Sequence, residues 1–230
     1  MLKFVPLRDD NPTVLWPIVT VSLIIANTAV FFYELSLEPR LLETLIYQMG
    51  MVPASIIQAH IPGTGGYFTV LTSMFLHGGW MHIIGNMLYL WIFGNNIEDS
   101  MGHFRFVIFY LVTGLAAAAA HLALNPASTI PTIGASGAVS GVLGAYLVLF
   151  PHARIQTLIT LGFFIRIVYL PAWLLLIFWI GLQLLNQALI PTEASAGGVA
   201  YAAHIGGFVA GIALIFLFRK YRRKTHFNYY

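Results

Sequence analysis

The sequence contains no cysteine and very little charge. Of its 230 residues, 59% are hydrophobic and 8% are charged, whereas about a quarter of the residues in a soluble domain are charged. The absence of cysteine excludes disulfide bonds, thiolate catalysis and cysteine-ligated metals. The net charge is only +3 and long stretches carry no charge, which argues against a nucleic-acid partner. We therefore expect a protein embedded in a membrane.

Acidic residues are absent from the interiors of the hydrophobic stretches. The eight acids are Asp9, Asp10, Glu34, Glu38, Glu43, Glu98, Asp99 and Glu193. Their placement excludes an intramembrane protease that uses paired aspartates, and it argues against a proton relay built from carboxylates. There is also no His-Glu-x-x-His motif and no carboxylate placed to act as its base, which argues against a zinc protease.

Charge-free intervals predict six membrane-spanning helices, because one span needs about 20 mostly apolar residues. The predicted spans are Val14–Tyr33, Gly79–Asn95, Phe104–Leu124, Ser136–Phe150, Val168–Ile190 and Tyr201–Phe218. The long connection after the first span contains an amphipathic segment, Arg40–Gln58, that predicts one or two helices. The expected fold class is all-α, a polytopic membrane bundle of six helices with a long, partly helical first external loop.

The basic residues predict that both termini are cytoplasmic. With the N-terminus inside, ten of the 11 Lys and Arg residues lie on the internal side, and only Arg40 lies outside. We expect one membrane domain over residues 1–230, with a cytoplasmic N-terminal segment at 1–13 and a basic cytoplasmic tail at 219–230. The first span is expected to be an uncleaved anchor, and the tail is expected to fix the topology rather than to bind lipid head groups.

The first polar cluster lies at the start of the second span. His82 and Asn86 are four residues apart, so a helix brings both side chains to one face. Two interpretations stay open, namely convergence on a functional point and hydrogen bonding to neighbouring helices. His77 precedes this helix and is expected to fix the loop through a hydrogen bond.

The second cluster, Gly134-Ala135-Ser136-Gly137, begins the fourth span. A serine at the start of a helix is usually an N-cap. The flanking Gly134 and Gly137 favour a second interpretation, because they let another chain approach the serine backbone. The N–H groups at the start of a helix would also stabilise a developing oxyanion.

The third cluster places His204 one turn before Gly207 in the last span. The pair Gly207 and Gly211 forms a ridge of small residues, and the fourth span carries a complementary ridge. That ridge contains Gly137, Gly141 and Gly144. Such ridges predict backbone-to-backbone packing of the two helices, which would bring His204 beside Ser136.

A serine beside a histidine indicates nucleophilic catalysis. His204 would take the Ser136 proton as general base and return it to the leaving amine. Because no acidic residue lies within these spans, the pair would be a dyad rather than a triad. His82, Asn86 and the Ser136 N–H would donate hydrogen bonds to the oxyanion.

These motifs together resemble the rhomboid intramembrane serine proteases, over nearly the whole chain. The resemblance implies that Ser136 is the nucleophile and that His204 is the general base and acid. It implies that His82 and Asn86 stabilise the oxyanion. The residues expected to give structural support are His77, Gly134, Gly137 and Gly207. It implies substrates that are single-span membrane proteins, cut in the lipid bilayer near its external face. It also implies an integral, multi-pass protein of the bacterial cytoplasmic membrane, with no metal and no organic cofactor.

Two features depart from well-known rhomboids. Some members carry a tyrosine four residues after the serine, where this chain has Ser140, and some carry a Trp-Arg pair in the first loop that is absent here.

One alternative function is that of a rhomboid-like chaperone or trafficking factor, although such relatives typically lack the serine or the histidine. A small transporter or channel is a second alternative, but the internal repeats that it predicts are absent. Trp173, Phe178 and Trp179 in the fifth span would either face lipid or form a gate for substrate.

Overall fold

The structure is a computed structural model, and it describes residues 2–58, 61–161, 164–189 and 199–220. Within these ranges the chain forms, in order, β1 (Leu2–Asp9), α1 (Ile18–Ser36), α2 (Pro39–Met49), α3 (Pro53–Ile57), α4 (Thr69–Thr72), α5 (Trp80–Met101), α6 (His103–Leu124), α7 (Ser136–Leu149), β2 (Arg154–Leu161), β3 (Phe164–Pro171), α8 (Ala172–Leu189) and α9 (Tyr201–Phe218). A 3-10 turn, Ser73–Phe75, follows α4. The predicted helical bundle is confirmed, and the described part adds one small sheet.

Helices lie at all six predicted spans. By length and composition α1, α6, α8 and α9 can each cross a membrane, and large apolar side chains such as Phe104 and Leu217 are exposed on the outside of the bundle, where lipid would cover them. The shorter α7 has 14 residues, ten of them buried. It lies at the centre of the bundle, so other helices rather than lipid surround it. The chain is an integral membrane protein.

The connection between α1 and α5 contains the two predicted helices, α2 and α3. Backbone hydrogen bonds join it to the loop before α7: Met51 and Thr132 exchange N–H to O bonds of 3.0 and 2.8 Å, and the Ala54 N–H donates to the Ser128 carbonyl over 2.9 Å. The first loop is therefore held against the segment that leads to Ser136.

Helices α7 and α9 pack through their glycines, as predicted. A Cβ atom at Gly207 would collide with the Gly137 carbonyl oxygen, and one at Gly211 would collide with the Gly141 carbonyl oxygen. A Cβ atom at Gly144 would likewise meet the Phe208 carbonyl oxygen. The backbones are in contact along this seam because no side chain separates them.

A three-stranded antiparallel sheet, in the order β1-β2-β3, lies next to the bundle. It was not predicted, and it corrects the start of the fifth span: residues from Val168 to Pro171 are strand, and the helix begins at Ala172. Val168 is β-branched and Tyr169 is aromatic, which suits a strand, and Pro171 would kink or break a helix that ran through it. Ile190, the predicted end of this span, lies outside the described residues, as do residues 221–230 of the predicted tail.

Asp9 joins the N-terminal strand to the bundle. Its Oδ2 atom accepts hydrogen bonds from the Tyr146 hydroxyl at 2.7 Å and from Asn96 Nδ2 at 2.6 Å. Burial raises the pKa of Asp9 above its usual range, although the bond from Tyr146 opposes this shift. Within the predicted N-terminal segment, Leu2–Asp9 thus forms a strand that is bound to α5 and α7.

Glu98 caps the first helix from the end of α5. The α1 helix has no side-chain cap of its own, and the fully buried Glu98 carboxylate accepts hydrogen bonds from the N–H groups of Val19 and Thr20 at 2.9 and 2.8 Å. It also accepts bonds from the Thr20 hydroxyl at 2.7 Å and from His103 Nδ1 at 2.6 Å. These bonds satisfy the free N–H groups at the helix start and the buried acid together.

Candidate active site

The three polar clusters of the sequence open onto one cavity of about 750 Å³. Ser136 from α7, His204 from α9, and His82 and Asn86 from α5 all line it. Among the described residues that line it, none is acidic and none is Lys or Arg. The cavity is therefore a mostly apolar space into which a few hydroxyl, amide and imidazole groups converge, as is typical of a ligand or substrate site.

Ser136 is the first residue of α7, and the N-cap is Ala135. The interpretation of Ser136 as an N-cap is therefore wrong. The α7 helix has no side-chain cap, so its first N–H groups are not satisfied by a side chain at the end that lines the cavity. One turn further along, the Ser140 hydroxyl donates to the Ser136 carbonyl oxygen at 2.6 Å.

Gly134 allows His82 to come close to Ser136. Its φ of +123° suits glycine, and a Cβ atom there would lie 2.6 Å from His82 Nε2 and 3.6 Å from Ser136 Oγ. At Gly137, a Cβ atom would come within 2.6 Å of the Ala117 side chain. A larger residue at either glycine would therefore collide with a neighbouring side chain, His82 at position 134 and Ala117 at position 137.

The two polar groups of α5 present hydrogen-bond donors to the cavity. The Gly78 N–H donates to His82 Nδ1 at 3.4 Å, which leaves the proton of a neutral ring on Nε2, the nitrogen beside Gly134. Asn86 is buried, and its Nδ2 atom has no hydrogen-bond partner among the described residues. Hydrogen bonding to a neighbouring helix therefore does not account for the Asn86 side chain.

His204 is 8% exposed and is held by α8. Its Nδ1 atom lies 2.8 Å from Gln183 Oε1, and its ring lies 5.8 Å from the Trp179 ring, centroid to centroid, tilted by 31°. Within the described part of the chain, His204 makes no hydrogen bond to Ser136; such bonds are often long in the absence of substrate. On α8, Trp173 and Phe178 are exposed, whereas Trp179 lines the cavity.

His77 lies in the loop before α5 and is buried. The backbone N–H of His77 donates to both carboxylate oxygens of Glu34 at 3.2 Å. The ring Nδ1 atom of His77 lies 3.3 Å from the Phe75 carbonyl oxygen. Burial, with a smaller effect from the nearby His82, lowers the pKa of His77 to about 4. These contacts hold the loop in place, and the ring packs edge-on against His82 at 5.1 Å between centroids.

Two further polar residues that line the cavity were not predicted from the sequence. They are His121 and Asn125, at the C-terminal end of α6. His121 Nε2 lies 2.9 Å from the Thr132 hydroxyl, and Asn125 Nδ2 donates to the His121 carbonyl oxygen at 3.0 Å. This pair anchors the loop that leads to Ser136. The signal was available, because His121 and Asn125 have the same four-residue spacing as His82 and Asn86.

Comparison with known proteins identifies the family. The Rhomboid domain model matches residues 64–221, well over half of the chain. The chain belongs to the rhomboid family. The match contains α4 to α9, and therefore every residue that lines the cavity except Ile46 of α2. The arrangement of Ser136, His82, Asn86 and His204 thus lies within the rhomboid domain itself.

Several curated rhomboids are similar to this chain. It is 31% identical over 148 residues, 63% of its length, to Rhomboid protein 1, mitochondrial, of Saccharomyces cerevisiae. It is 33% identical over 150 residues, 65% of its length, to Rhomboid protease GluP of Bacillus subtilis, and 27% identical over 214 residues, 84% of its length, to Rhomboid protease AarA of Providencia stuartii. The aligned parts cover 40%, 26% and 69% of these relatives.

Proposed function

We propose that this rhomboid is an intramembrane serine endopeptidase that cleaves single-span membrane proteins near the external membrane face. The observation that carries this proposal is the convergence of Ser136, His204, His82 and Asn86 on one cavity. Two of the relatives are named as proteases, and this chain retains the serine and the histidine that a rhomboid-like chaperone or trafficking factor typically lacks.

The first half of the reaction forms an acyl-enzyme. Ser136 Oγ attacks the carbonyl carbon of the scissile peptide bond while His204 Nε2 removes the hydroxyl proton. The imidazolium then gives this proton to the leaving amine, and the carbon–nitrogen bond breaks. Water, activated in turn by His204, hydrolyses the ester and regenerates the free serine.

The negative oxygen of each tetrahedral intermediate needs donors that are already in place. The donors suited to this role are Nε2–H of His82, the free Nδ2–H of Asn86 and the backbone N–H of Ser136, because all three residues line the cavity. Loss of one such donor typically lowers kcat by roughly 10²- to 10³-fold. Gly134, Gly137, Gly207 and His77 serve as structural support for this arrangement.

The membrane setting is part of the proposal. Basic residues favour an orientation with both termini in the cytoplasm, and the bacterial relatives favour the cytoplasmic membrane of a bacterium. The α1 helix, which precedes the matched domain, belongs to the same membrane domain, since it packs on α5 and is capped by Glu98. We expect substrate and lipid as partners, with no metal, cofactor or nucleic acid.

Cleavage in lipid vesicles tests this function. The purified protein is reconstituted with a panel of fluorescent single-span proteins that differ in small and helix-breaking residues near the external end of the span. We expect the wild type to cut a subset of the panel near that end. Ser136→Ala and His204→Ala should remove cleavage, whereas Ser140→Ala, the same serine change one turn along α7, should retain it.

The outcome separates the candidate functions. Cleavage that persists in Ser136→Ala would contradict the proposed nucleophile. Binding of the panel without cleavage, by wild-type protein and Ser136→Ala alike, would favour the chaperone or trafficking alternative.

A further inference from the structure

The His204 ring contacts two residues of α8, a helix that carries none of the four proposed catalytic and oxyanion residues. Gln183 Oε1 lies 2.8 Å from His204 Nδ1, and the Trp179 ring lies against the imidazole at 5.8 Å. Gln183 is 8% exposed, so both partners of the hydrogen bond are buried. A buried polar contact of this kind restricts both side chains to one arrangement.

The orientation of the Gln183 amide follows from its second hydrogen bond. Its Nε2 atom points to the Trp179 carbonyl oxygen, one turn earlier on α8, at 3.4 Å. A carbonyl oxygen can only accept, so the amide NH₂ belongs on that side and the amide oxygen belongs on the His204 side. The two bonds are compatible with only one placement of the amide.

The amide oxygen in turn decides which imidazole nitrogen carries the proton. Gln183 Oε1 has no hydrogen to give, so His204 Nδ1 must be the donor. The neutral ring then has its lone pair on Nε2, the nitrogen that is left for the cavity shared with Ser136. This tautomer is the one that a general base for Ser136 requires.

We propose that Gln183 is a positioning residue that holds His204 in the tautomer and orientation required of the base. It would supply through a neutral amide the orienting bond that an aspartate supplies in a Ser-His-Asp triad, and Trp179 would limit rotation of the ring. The inference rests on the proposed function, in which His204 is the base. It also accounts for the support of His204 in a chain that has Ser140 four residues after the serine.

The test compares the rates at which a fluorophosphonate labels Ser136 in lipid vesicles. Gln183→Met has nearly the same shape but no oxygen acceptor, and Gln183→Glu retains one. We expect at least about tenfold slower labelling in Gln183→Met and a rate within about tenfold of wild type in Gln183→Glu. In Gln183→Met the rate should fall by less than the roughly 10⁴-fold loss of kcat that follows when the aspartate of a Ser-His-Asp triad is replaced by asparagine, because Gln183→Met removes no charge. Gln156→Met, in the sheet away from the cavity, is the matched control and should label at the wild-type rate.

A second measurement separates positioning from a merely structural role. Solid-state ¹⁵N NMR of histidine-labelled protein should show the His204 proton on Nδ1 in the wild type and a mixture of tautomers in Gln183→Met, with little change in melting temperature. A wild-type His204 protonated on Nε2 would overturn the inference without any variant. Wild-type labelling rates in Gln183→Met would overturn it while the proposed function stands, whereas a wild type that is not labelled overturns the proposed function itself.

Discussion

Gly134 sets how closely His82 can approach the serine. We predict that Gly134→Ala lowers the labelling rate of Ser136 by a fluorophosphonate at least about tenfold. An alanine Cβ would lie 2.6 Å from His82 Nε2, and the φ of +123° is strained for any residue with a side chain. Gly66→Ala is the control, because that glycine has open space around its Cβ position. Equal rates for Gly134→Ala and wild type would contradict the need for a glycine between His82 and Ser136.

His77 makes the stability of the protein depend on pH. Between pH 6.5 and about 4, the unfolded chain binds a proton on His77 that the folded, buried ring does not. The free energy of unfolding therefore falls as the pH falls through this window, by up to about 3 kcal/mol. We predict that the melting temperature in detergent drops less between pH 7 and 4.5 in His77→Phe than in the wild type. His152→Phe, at an exposed histidine, should follow the wild type. A melting temperature that drops as much in His77→Phe as in the wild type would contradict this role of His77.

Sequence alone could predict the residues that converge on the cavity but not what orients His204. Ser136, His204, His82 and Asn86 stand out because polar groups are costly in apolar spans and because their spacing places them on helix faces. Gln183 carries the same cost, yet its partner is 21 residues away along the chain. Nothing local indicates that contact, since it depends on how α8 packs against α9.

The α7–α9 seam depends on the absence of side chains. We predict that Gly207→Ala lowers both the melting temperature and the labelling rate, because the added Cβ would collide with the Gly137 carbonyl oxygen and force the helices apart. Overpacking of this kind costs about 1 to 3 kcal/mol. Gly181→Ala on α8 is the matched control, since its Cβ position is open. Wild-type stability and labelling in Gly207→Ala would contradict close packing at this seam.

The helices could be predicted from charge-free intervals, whereas the sheet could not. Strand β1 pairs with β2 across about 150 residues of chain, with Leu2 opposite Leu161, and no local pattern records such a partner. The apolar run from Ile167 onward continues without a charge into α8, so it suggested one long helix. Pro171 was the signal that the helix begins later.

The orientation of the whole molecule in the membrane can be tested because the chain has no cysteine. Glu38→Cys, beside α2, and His152→Cys, between α7 and β2, each introduce one exposed thiol at opposite sides of the predicted topology. We predict that a membrane-impermeant maleimide labels Glu38→Cys in intact spheroplasts. His152→Cys should react only after permeabilisation. The reverse pattern would contradict the orientation that the basic residues predict.

The proposed reaction requires that Ser136 is a nucleophile activated by His204. The most direct test labels the folded protein in lipid vesicles with a fluorophosphonate and maps the adduct by mass spectrometry. We predict an adduct on the peptide that contains Ser136, absent in Ser136→Ala and strongly reduced in His204→Ala. An adduct elsewhere, or none on folded wild-type protein, would contradict it.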